Sequence, residues 1–289
     1  MKLLLINKNN QVLDLYNSRD KWVVKGADGL HGIETDIAET ESPYVDGSNT
    51  DHVKALPRGI EITLKLKGNV QESIDYFTSI VKSKQYVTLR EVDERRDITI
   101  RGIVTIPPYT RMMQSCEIVF TVYCGKPYWE DIKYIVDTIS LEIGKLYFPE
   151  EGLYFPEEGR PFSVYGLDLE KAFTNNGDVS VGMLIELVAL NDVKTPRISC
   201  STGEQNGWYM QLNLTLKAGD ELKINTERGN KYITINGLDT YNGEPILNYL
   251  EYAGADWLQL DQGNNVFNVT AESGAEYIYL DIIYKGRYE

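Results

Sequence analysis

Hydrophobic and polar residues alternate along much of the chain, which is typical of half-buried antiparallel strands. In residues 58–67, the even positions from Ile60 to Leu66 are aliphatic, and the odd positions are Glu, Thr or Lys. The same alternation predicts strands over residues 86–91, 97–106 and 115–124, which polar or proline-containing turns separate. The first half of the chain is therefore predicted to be a β-sheet domain.

One segment of this half has the period of a helix. Hydrophobic residues recur at helical spacing from Val70 to Val81. Asn69 stands at the N-cap position with Glu72 three residues later, as in a capping box. The pattern predicts one amphipathic helix over residues 70–82 that packs on the sheet.

Residues 36–57 are rich in turn formers and have no long apolar period. They predict either a long loop or an extended hairpin. Long segments of this kind in compact domains often carry function, so residues 36–57 are a candidate contact with a neighbouring subunit.

Short alternating segments also fill the second half. They predict strands over residues 179–187, 208–216, 222–225, 231–235, 266–270 and 277–284, and a short helix over residues 245–251. The Gly, Asn and Asp turns between these strands are typical of a β-sandwich.

A perfect tandem repeat marks the expected domain boundary, because residues 146–152 and 153–159 both read LYFPEEG. Two copies are too few for a solenoid, and their Pro, Gly and Glu residues predict a solvated connector. The expected organisation is an N-terminal β domain at 1–145, a connector at 146–165 and a C-terminal β-sandwich at 166–289.

The net negative charge of the chain argues against some classes of binding partner. The formal net charge of the 289 residues is −14, and residues 166–289 contribute 9 basic against 18 acidic residues. An acidic surface repels phosphate backbones and anionic lipids, so neither nucleic acid nor membrane is an expected partner. No apolar run near the start has the length of a secretory signal or a membrane span, so no export signal is expected.

Cysteine and histidine are too sparse for most catalytic or metal chemistry. The three cysteines predict no disulfide framework and suit a reducing cytosol, and Cys116 and Cys124 fall on the inward face of a predicted strand. Neither His31 nor His52 stands in metal-ligand spacing with a cysteine.

Motifs for a nucleophile elbow, a phosphate loop or a zinc helix are absent from the sequence. We therefore predict no catalytic, cofactor-binding or metal-binding residue, no cofactor and no enzymatic activity. A glycosidase that uses two carboxylates stays open, because its two acids need no fixed sequence spacing.

Aromatic residues supply the one candidate binding site. Aromatic faces stack on sugar rings, and Trp208, Tyr209 and Trp257 fall in the predicted sandwich. The alternation places Trp208 on the face of Met210 and Leu212, which favours core packing over sugar contact for that residue. The setting of Trp257 is less defined, so sugar contact stays open.

Turn motifs in both halves follow an order that resembles one family. The first half has SPY at residues 42–44, PRG at 57–59, Gly68 and Asn69 before the helix, and GKPYW at 125–129. The second half has FTNNGD at 173–178, AGD at 218–220, INT at 224–226, WLxLxxGxN at 257–265 and YKGRY at 284–288. Together they resemble the distal tail proteins of long-tailed, non-contractile bacteriophages (siphoviruses) of Gram-positive hosts, over nearly the whole chain.

The resemblance implies a structural hub of the phage tail tip, encoded by a phage or a prophage. An N-terminal β-sandwich with one helix and a long hairpin would form a hexameric ring, followed by a galectin-like or carbohydrate-module-like sandwich. The implied partners are further copies of the chain, the tail tube protein, a tail-associated fibre or lysin-like protein and, in some relatives, a receptor-binding protein. The protein would be made in the host bacterial cytoplasm and reside at the virion tail tip.

The LYFPEEG repeat departs from the family pattern. The alternative function is a cell-wall carbohydrate-binding module, which would explain the C-terminal sandwich and its aromatic residues but leave the first half without a role.

Overall fold

The computed structural model describes residues 2–17, 21–41, 46–108, 116–144, 163–167 and 170–289. The chain divides into two compact units: unit 1 is Met1–Ile132 with Arg287–Glu289, and unit 2 is Lys133–Gly286. The predicted fold class, mainly β with one α-helix and a long hairpin in the first half, is confirmed. The tandem repeat at 146–159 and the motif at 42–44 lie outside the described residues.

Among its described residues, unit 1 contains a nine-stranded sheet, one α-helix and a separate two-stranded hairpin. Its elements are β1 (Lys2–Asn7), β2 (Val12–Asp14), β3 (Trp22–Asp28), β4 (Thr35–Glu41), β5 (Ser48–Ala55), β6 (Arg58–Leu66), α1 (Val70–Ile80), β7 (Tyr86–Val92), β8 (Asp97–Thr105), β9 (Glu117–Cys124) and β10 (Trp129–Asp131). The sheet order is β2-β1-β7-β8-β9-β6-β3, with β10 paired to β8. β4 and β5 form the hairpin.

The core of unit 1 follows the predicted alternation and the predicted helix. Ile60 and Ile62 of β6 are fully buried, as expected from the period. Asn69 Oδ1 accepts a hydrogen bond from the backbone N–H of Glu72 and caps α1. Phe77 of α1 is fully buried, and its ring centre lies 5.5 Å from that of a phenylalanine in β9, so the helix packs on the sheet.

The cysteines behave as small core residues. Cys116, Cys124 and Cys200 are buried and free. Burial raises the pKa of the Cys124 thiol to about 11, so this thiol stays protonated and unreactive at neutral pH.

A buried arginine fixes the root of the hairpin. Arg58 is 5% exposed, and its guanidinium donates hydrogen bonds to the carbonyls of Leu30 at 2.8 Å and Gly32 at 2.9 Å. The indole N–H of Trp129 donates to the same Leu30 carbonyl at 2.9 Å. Burial lowers the pKa of Arg58 from its ordinary value, yet a guanidinium remains charged at neutral pH. The turn between β3 and β4 is therefore held by the first residues of β6 and β10.

Glycine is required for this turn to approach β6. Gly29 has a φ of +77°, and a Cβ at this position would lie 2.3 Å from the carbonyl oxygen of Gly59. Any other residue would be strained and would clash with backbone. Two motifs of the family resemblance, PRG at 57–59 and GKPYW at 125–129, thus supply the contacts that hold the hairpin root.

Unit 2 is a β-sandwich, as predicted. Its strands are β11 (Ile135–Thr138), β12 (Ser140–Gly144), β13 (Ser163–Leu167), β14 (Glu170–Asn175), β15 (Leu184–Ala189), β16 (Val193–Lys194), β17 (Arg197–Cys200), β18 (Tyr209–Leu212), β19 (Thr215–Leu216), β20 (Glu221–Asn225), β21 (Tyr232–Ile235), β22 (Thr240–Tyr241), β23 (Glu244–Pro245), β24 (Leu250–Ala253), β25 (Gly263–Thr270) and β26 (Ile278–Tyr284). Short 3-10 helices occupy Gly203–Gln205, Ile246–Tyr249 and Ala275–Tyr277, the second within the predicted helical segment. Two five-stranded sheets, ordered β11-β26-β15-β20-β21 and β14-β25-β17-β18-β24, enclose one hydrophobic core.

Two strands of unit 2 are shorter than their alternation predicts. The strand predicted over 179–187 is wrong at its start, because β15 begins only at Leu184. The single strand predicted over 208–216 is wrong, because pairing passes from β24 to β16 between Leu212 and Thr215. In both segments the side chains keep a period of two although the backbone changes its hydrogen-bond partner.

The unit limits differ from the predicted domain limits. The first unit ends at Ile132 rather than at residue 145, because β11 pairs with β26 of unit 2. At the other end of the chain, Arg287–Tyr288 form a last strand, β27, which pairs with β10 in unit 1. The chain therefore passes between the units twice, after Ile132 and after Gly286.

Strand β27 completes unit 1 with side-chain contacts as well as backbone pairing. Tyr288 is 7% exposed, and its hydroxyl lies 3.1 Å from a carboxylate oxygen of Asp131. Arg287 forms an ion pair with Glu130 at 3.2 Å. The last residues of the chain thus belong to the fold of its first half.

Replacing Tyr288 with Ala should lower the free energy of unfolding of unit 1 by about 3 kcal/mol, the usual cost of removing a buried aromatic side chain. Guanidinium denaturation followed by tryptophan fluorescence measures this loss. The control Tyr252→Ala removes a tyrosine that is 49% exposed in unit 2, and it should cost less than about 1 kcal/mol. Equal losses would show that β27 contributes no specific stability.

Replacing Arg58 with Leu should destabilise unit 1 by about 2 kcal/mol, since two carbonyls lose a charged donor. Hydrogen exchange should also accelerate at the amide of Leu56, which bonds the carbonyl of Glu34 at the hairpin root. Arg95→Leu at an exposed position is the matched control. Unchanged exchange at Leu56 would mean that Arg58 does not hold the root.

Candidate functional site

The β4–β5 hairpin is the most exposed regular element of unit 1. All seven residues of β4 are exposed, and within the described ranges the two strands pair only with each other. Ile37 and Val53 lie opposite each other and are 50% and 56% exposed. A two-stranded ribbon is marginally stable in water without further packing. Of the loop and the hairpin predicted for residues 36–57, it is therefore the hairpin that forms. Its apolar pair, Ile37 and Val53, is exposed.

Charged and polar residues lie on the opposite face of the ribbon, because successive side chains of a strand alternate between its two faces. Asp36 pairs with Lys54, and Ala38 pairs with His52, which is exposed. Opposite charges across the ladder stabilise the ribbon by a few tenths of a kcal/mol at most in water. The ribbon therefore presents an apolar pair on one face and charged or polar pairs on the other.

The motifs of the second half hold buried polar groups at one end of the sandwich. The side-chain amide of Asn175 donates to the carbonyl of Leu260 at 3.1 Å. That of Asn265 donates to the carbonyl of Asp261 at 2.8 Å. Both asparagines are buried. These bonds therefore satisfy polar groups whose burial without a hydrogen-bond partner would cost free energy. The FTNNGD and WLxLxxGxN motifs are thereby explained by folding.

The three aromatic candidates for sugar contact occupy different environments. Trp257 is 8% exposed and belongs to the core of unit 2. Trp208 packs against that core, and a Cβ on Gly254 would lie 2.4 Å from its ring. The guanidinium of Arg197 lies 3.7 Å from the ring centre of Tyr209. Each ring is therefore covered at least on one side by the protein's own atoms.

A carboxylate that the sequence did not single out organises the outer face near Tyr209. Glu251 of β24 accepts hydrogen bonds from the Tyr209 hydroxyl at 2.8 Å and the Asn213 amide at 3.2 Å. The bond from Tyr209 is the main cause that lowers the pKa of Glu251, and it raises the pKa of Tyr209. Pairing of β18 with β24 brings these residues together, and no local spacing in the sequence predicts it.

Metal-binding and membrane-spanning features can be assessed from the described side chains and helices. In the part of the chain that the structure describes, no group of three or more His, Cys, Asp or Glu side chains could hold a metal ion. No helix there has the length and apolar character to cross a membrane. His31, like His52, is exposed.

Known proteins resemble the chain at the level of a domain family and of the fold. A family model described as a siphovirus-type tail component, C-terminal domain, matches residues 176–288. No curated protein sequence matches the chain. The crystal structure of the Dit protein of phage SPP1, titled a paradigm of the hub adsorption apparatus in phages that infect Gram-positive hosts, has 12% identity and a TM-score of 0.63. That match covers 99% of both chains.

Two structures of the phage p2 baseplate in its activated conformation, with Ca and with Sr, are more distant. Each has 13% identity and covers 99% of this chain and 98% of its own, with TM-scores of 0.39 and 0.38. The fold comparison rests on the SPP1 protein. The resemblance predicted from the sequence is confirmed: residues 176–288 match the C-terminal domain of a siphovirus-type tail component, and the whole chain has the fold of the SPP1 Dit protein.

Proposed function

We propose that the chain is the structural hub of a phage tail tip and forms a closed, hexameric ring through unit 1. The ring would join the tail tube protein to a tail-associated fibre or lysin-like protein, with receptor-binding proteins as further partners. The observation that carries this proposal is the exposed β4–β5 hairpin on its buried root. The description of the SPP1 relative as a hub supports it.

A closed ring requires contacts in which one surface of a copy meets a different surface of the next copy. A projecting hairpin with a fixed root is suited to such a contact. Burial of Ile37 and Val53 would contribute about 1 to 2 kcal/mol for each half-exposed side chain. It would also supply the packing that a two-stranded ribbon lacks.

The hub would act by binding, and it would reside in the virion tail after synthesis in the host bacterial cytoplasm. The free, buried cysteines suit folding in a reducing compartment. They also leave no exposed thiol among the cysteines to cross-link neighbouring copies in the ring.

A cell-wall carbohydrate-binding module is the second candidate function. One observation favours it: Tyr209, Asn213 and Glu251 form a hydrogen-bonding group on the outer face of a sheet. The cation of Arg197 over the ring of Tyr209 and the burial of Trp257 oppose it, because a sugar platform needs an open aromatic face.

Ring formation can be tested with Ile37→Asp/Val53→Asp in the hairpin. The wild-type assembly should have six times the mass of the monomer. The variant should be monomeric, because two charges cannot be buried at the contact. Multi-angle light scattering gives the masses. The control Leu238→Asp/Leu247→Asp changes two exposed leucines of unit 2 and should leave the ring intact. A wild-type monomer, even with the tail tube protein added, would contradict the proposal.

Sugar binding can be tested by isothermal titration with host cell-wall fragments. We expect no binding tighter than about 100 µM, which corresponds to roughly −5.5 kcal/mol. Tighter binding that Tyr209→Ala abolishes and Tyr232→Ala preserves would make unit 2 a receptor-binding module.

A further inference from the structure

A groove of about 500 Å³ lies on unit 1 between the turn after β1, the end of α1 and the start of β7. A second groove of about 450 Å³ continues from it towards Lys126 and Tyr128. The two share Tyr86 and Arg101 in their walls. Together they form one surface, called here the basic groove.

Cations dominate the basic groove. Its walls contain Lys8, Lys82, Lys84, Arg101 and Lys126, and all of them are exposed. None of these takes part in an ion pair among the described residues. The one carboxylate in the walls belongs to a glutamate of β10 that is already paired with an arginine of β27. The groove is thus a patch of uncompensated positive charge on a protein of net charge −14.

One of these basic residues, Lys84, has an unusual backbone conformation. Lys84 has a φ of +65°, in the left-handed region that favours glycine. Its N–H donates to the carbonyl of Val104 at 2.8 Å, and the N–H of Val104 donates to the carbonyl of Gln85 at 2.9 Å. Strained positions of this kind persist where the surrounding structure fixes them, and they concentrate at binding surfaces.

The complementary charge lies on the other unit of the same chain. Unit 2 has 11 basic and 23 acidic residues, whereas unit 1 has 18 basic and 20 acidic residues. We propose that the basic groove of one copy binds the acidic unit 2 of a neighbouring copy. This inference rests on the proposed ring, and it adds to the hairpin contact a second head-to-tail contact, between the groove of one copy and unit 2 of the next.

Charge complementarity favours a second copy over a phosphate polymer. A phosphate polymer carries a negative charge on nearly every unit, and a chain of net charge −14 repels it at long range. A second copy brings carboxylates together with polypeptide hydrogen-bond donors. Complementary patches of this kind set the orientation and the specificity of association.

The test compares two double variants with the same change in charge. Lys8→Glu/Lys82→Glu inverts two groove cations, and Lys2→Glu/Lys67→Glu inverts two exposed lysines of unit 1 outside the groove walls. Sedimentation measures ring affinity at low and high salt. We expect the groove variant to lose about tenfold in affinity at low salt, which is about 1.4 kcal/mol. The control should lose less than about threefold, and high salt should remove the difference.

A milder variant keeps the test independent of misfolding. Lys8→Gln/Lys82→Gln removes the charges without inverting them and should lose about half as much free energy of association. Circular dichroism checks that each variant is folded. Equal losses in the groove variant and the control would show general repulsion and would overturn the inference.

Three further outcomes separate this inference from the ring proposal and from binding of a phosphate polymer. A ring of unchanged affinity in the groove variant would overturn the groove contact and leave the hub proposal in place. A wild-type chain that forms no ring would contradict the hub proposal. Inorganic polyphosphate that binds the wild-type chain but not the groove variant, with ring affinity unchanged, would make the groove a phosphate-polymer site instead.

Discussion

The carbonyl oxygen of Leu30 accepts hydrogen bonds from both Arg58 and Trp129, and the position of the β4–β5 hairpin depends on this shared acceptor. It joins the turn before the hairpin to the first residues of two strands that lie far apart in sequence. A buried guanidinium is costly, and the carbonyls of Leu30 and Gly32 offset part of this cost, although Nε of Arg58 has no hydrogen-bond partner among the described residues. The exposed hairpin is therefore positioned by an interaction in the interior.

The sequence predicted the elements whose side chains and backbone follow the same period. β6 and α1 are such cases, because each buried residue recurs at the spacing of its own element. The predicted strand limits were wrong near Leu184 and after Leu212. There the side chains keep a period of two while the backbone changes its hydrogen-bond partner. β27 is too short to show a period, and its partner residue Glu130 lies 157 positions away, so nothing local could predict it.

The candidate site was predictable only in part. The missing core pattern of residues 36–57 left a loop or a hairpin open, and an exposed hairpin forms; sugar contact was left open at Trp257, which packs in the core. The basic groove has no sequence signature, because pairing of β1, β7 and β8 brings its cations together from separate segments. Family motifs such as those around Arg58 and Asn175 are explained by buried carbonyls that need donors.

Strand β27 also bears on the order of events during synthesis. Polypeptides leave the ribosome from the N-terminus and domains begin to fold as they emerge, so most of unit 1 is available before unit 2 has been made. Its sheet nevertheless stays incomplete until Arg287 and Tyr288 arrive and pair with β10. A chain whose translation stops before Arg287 leaves the edge of β10 open. The sheet of the first unit can thus be completed only after the second unit has been synthesised.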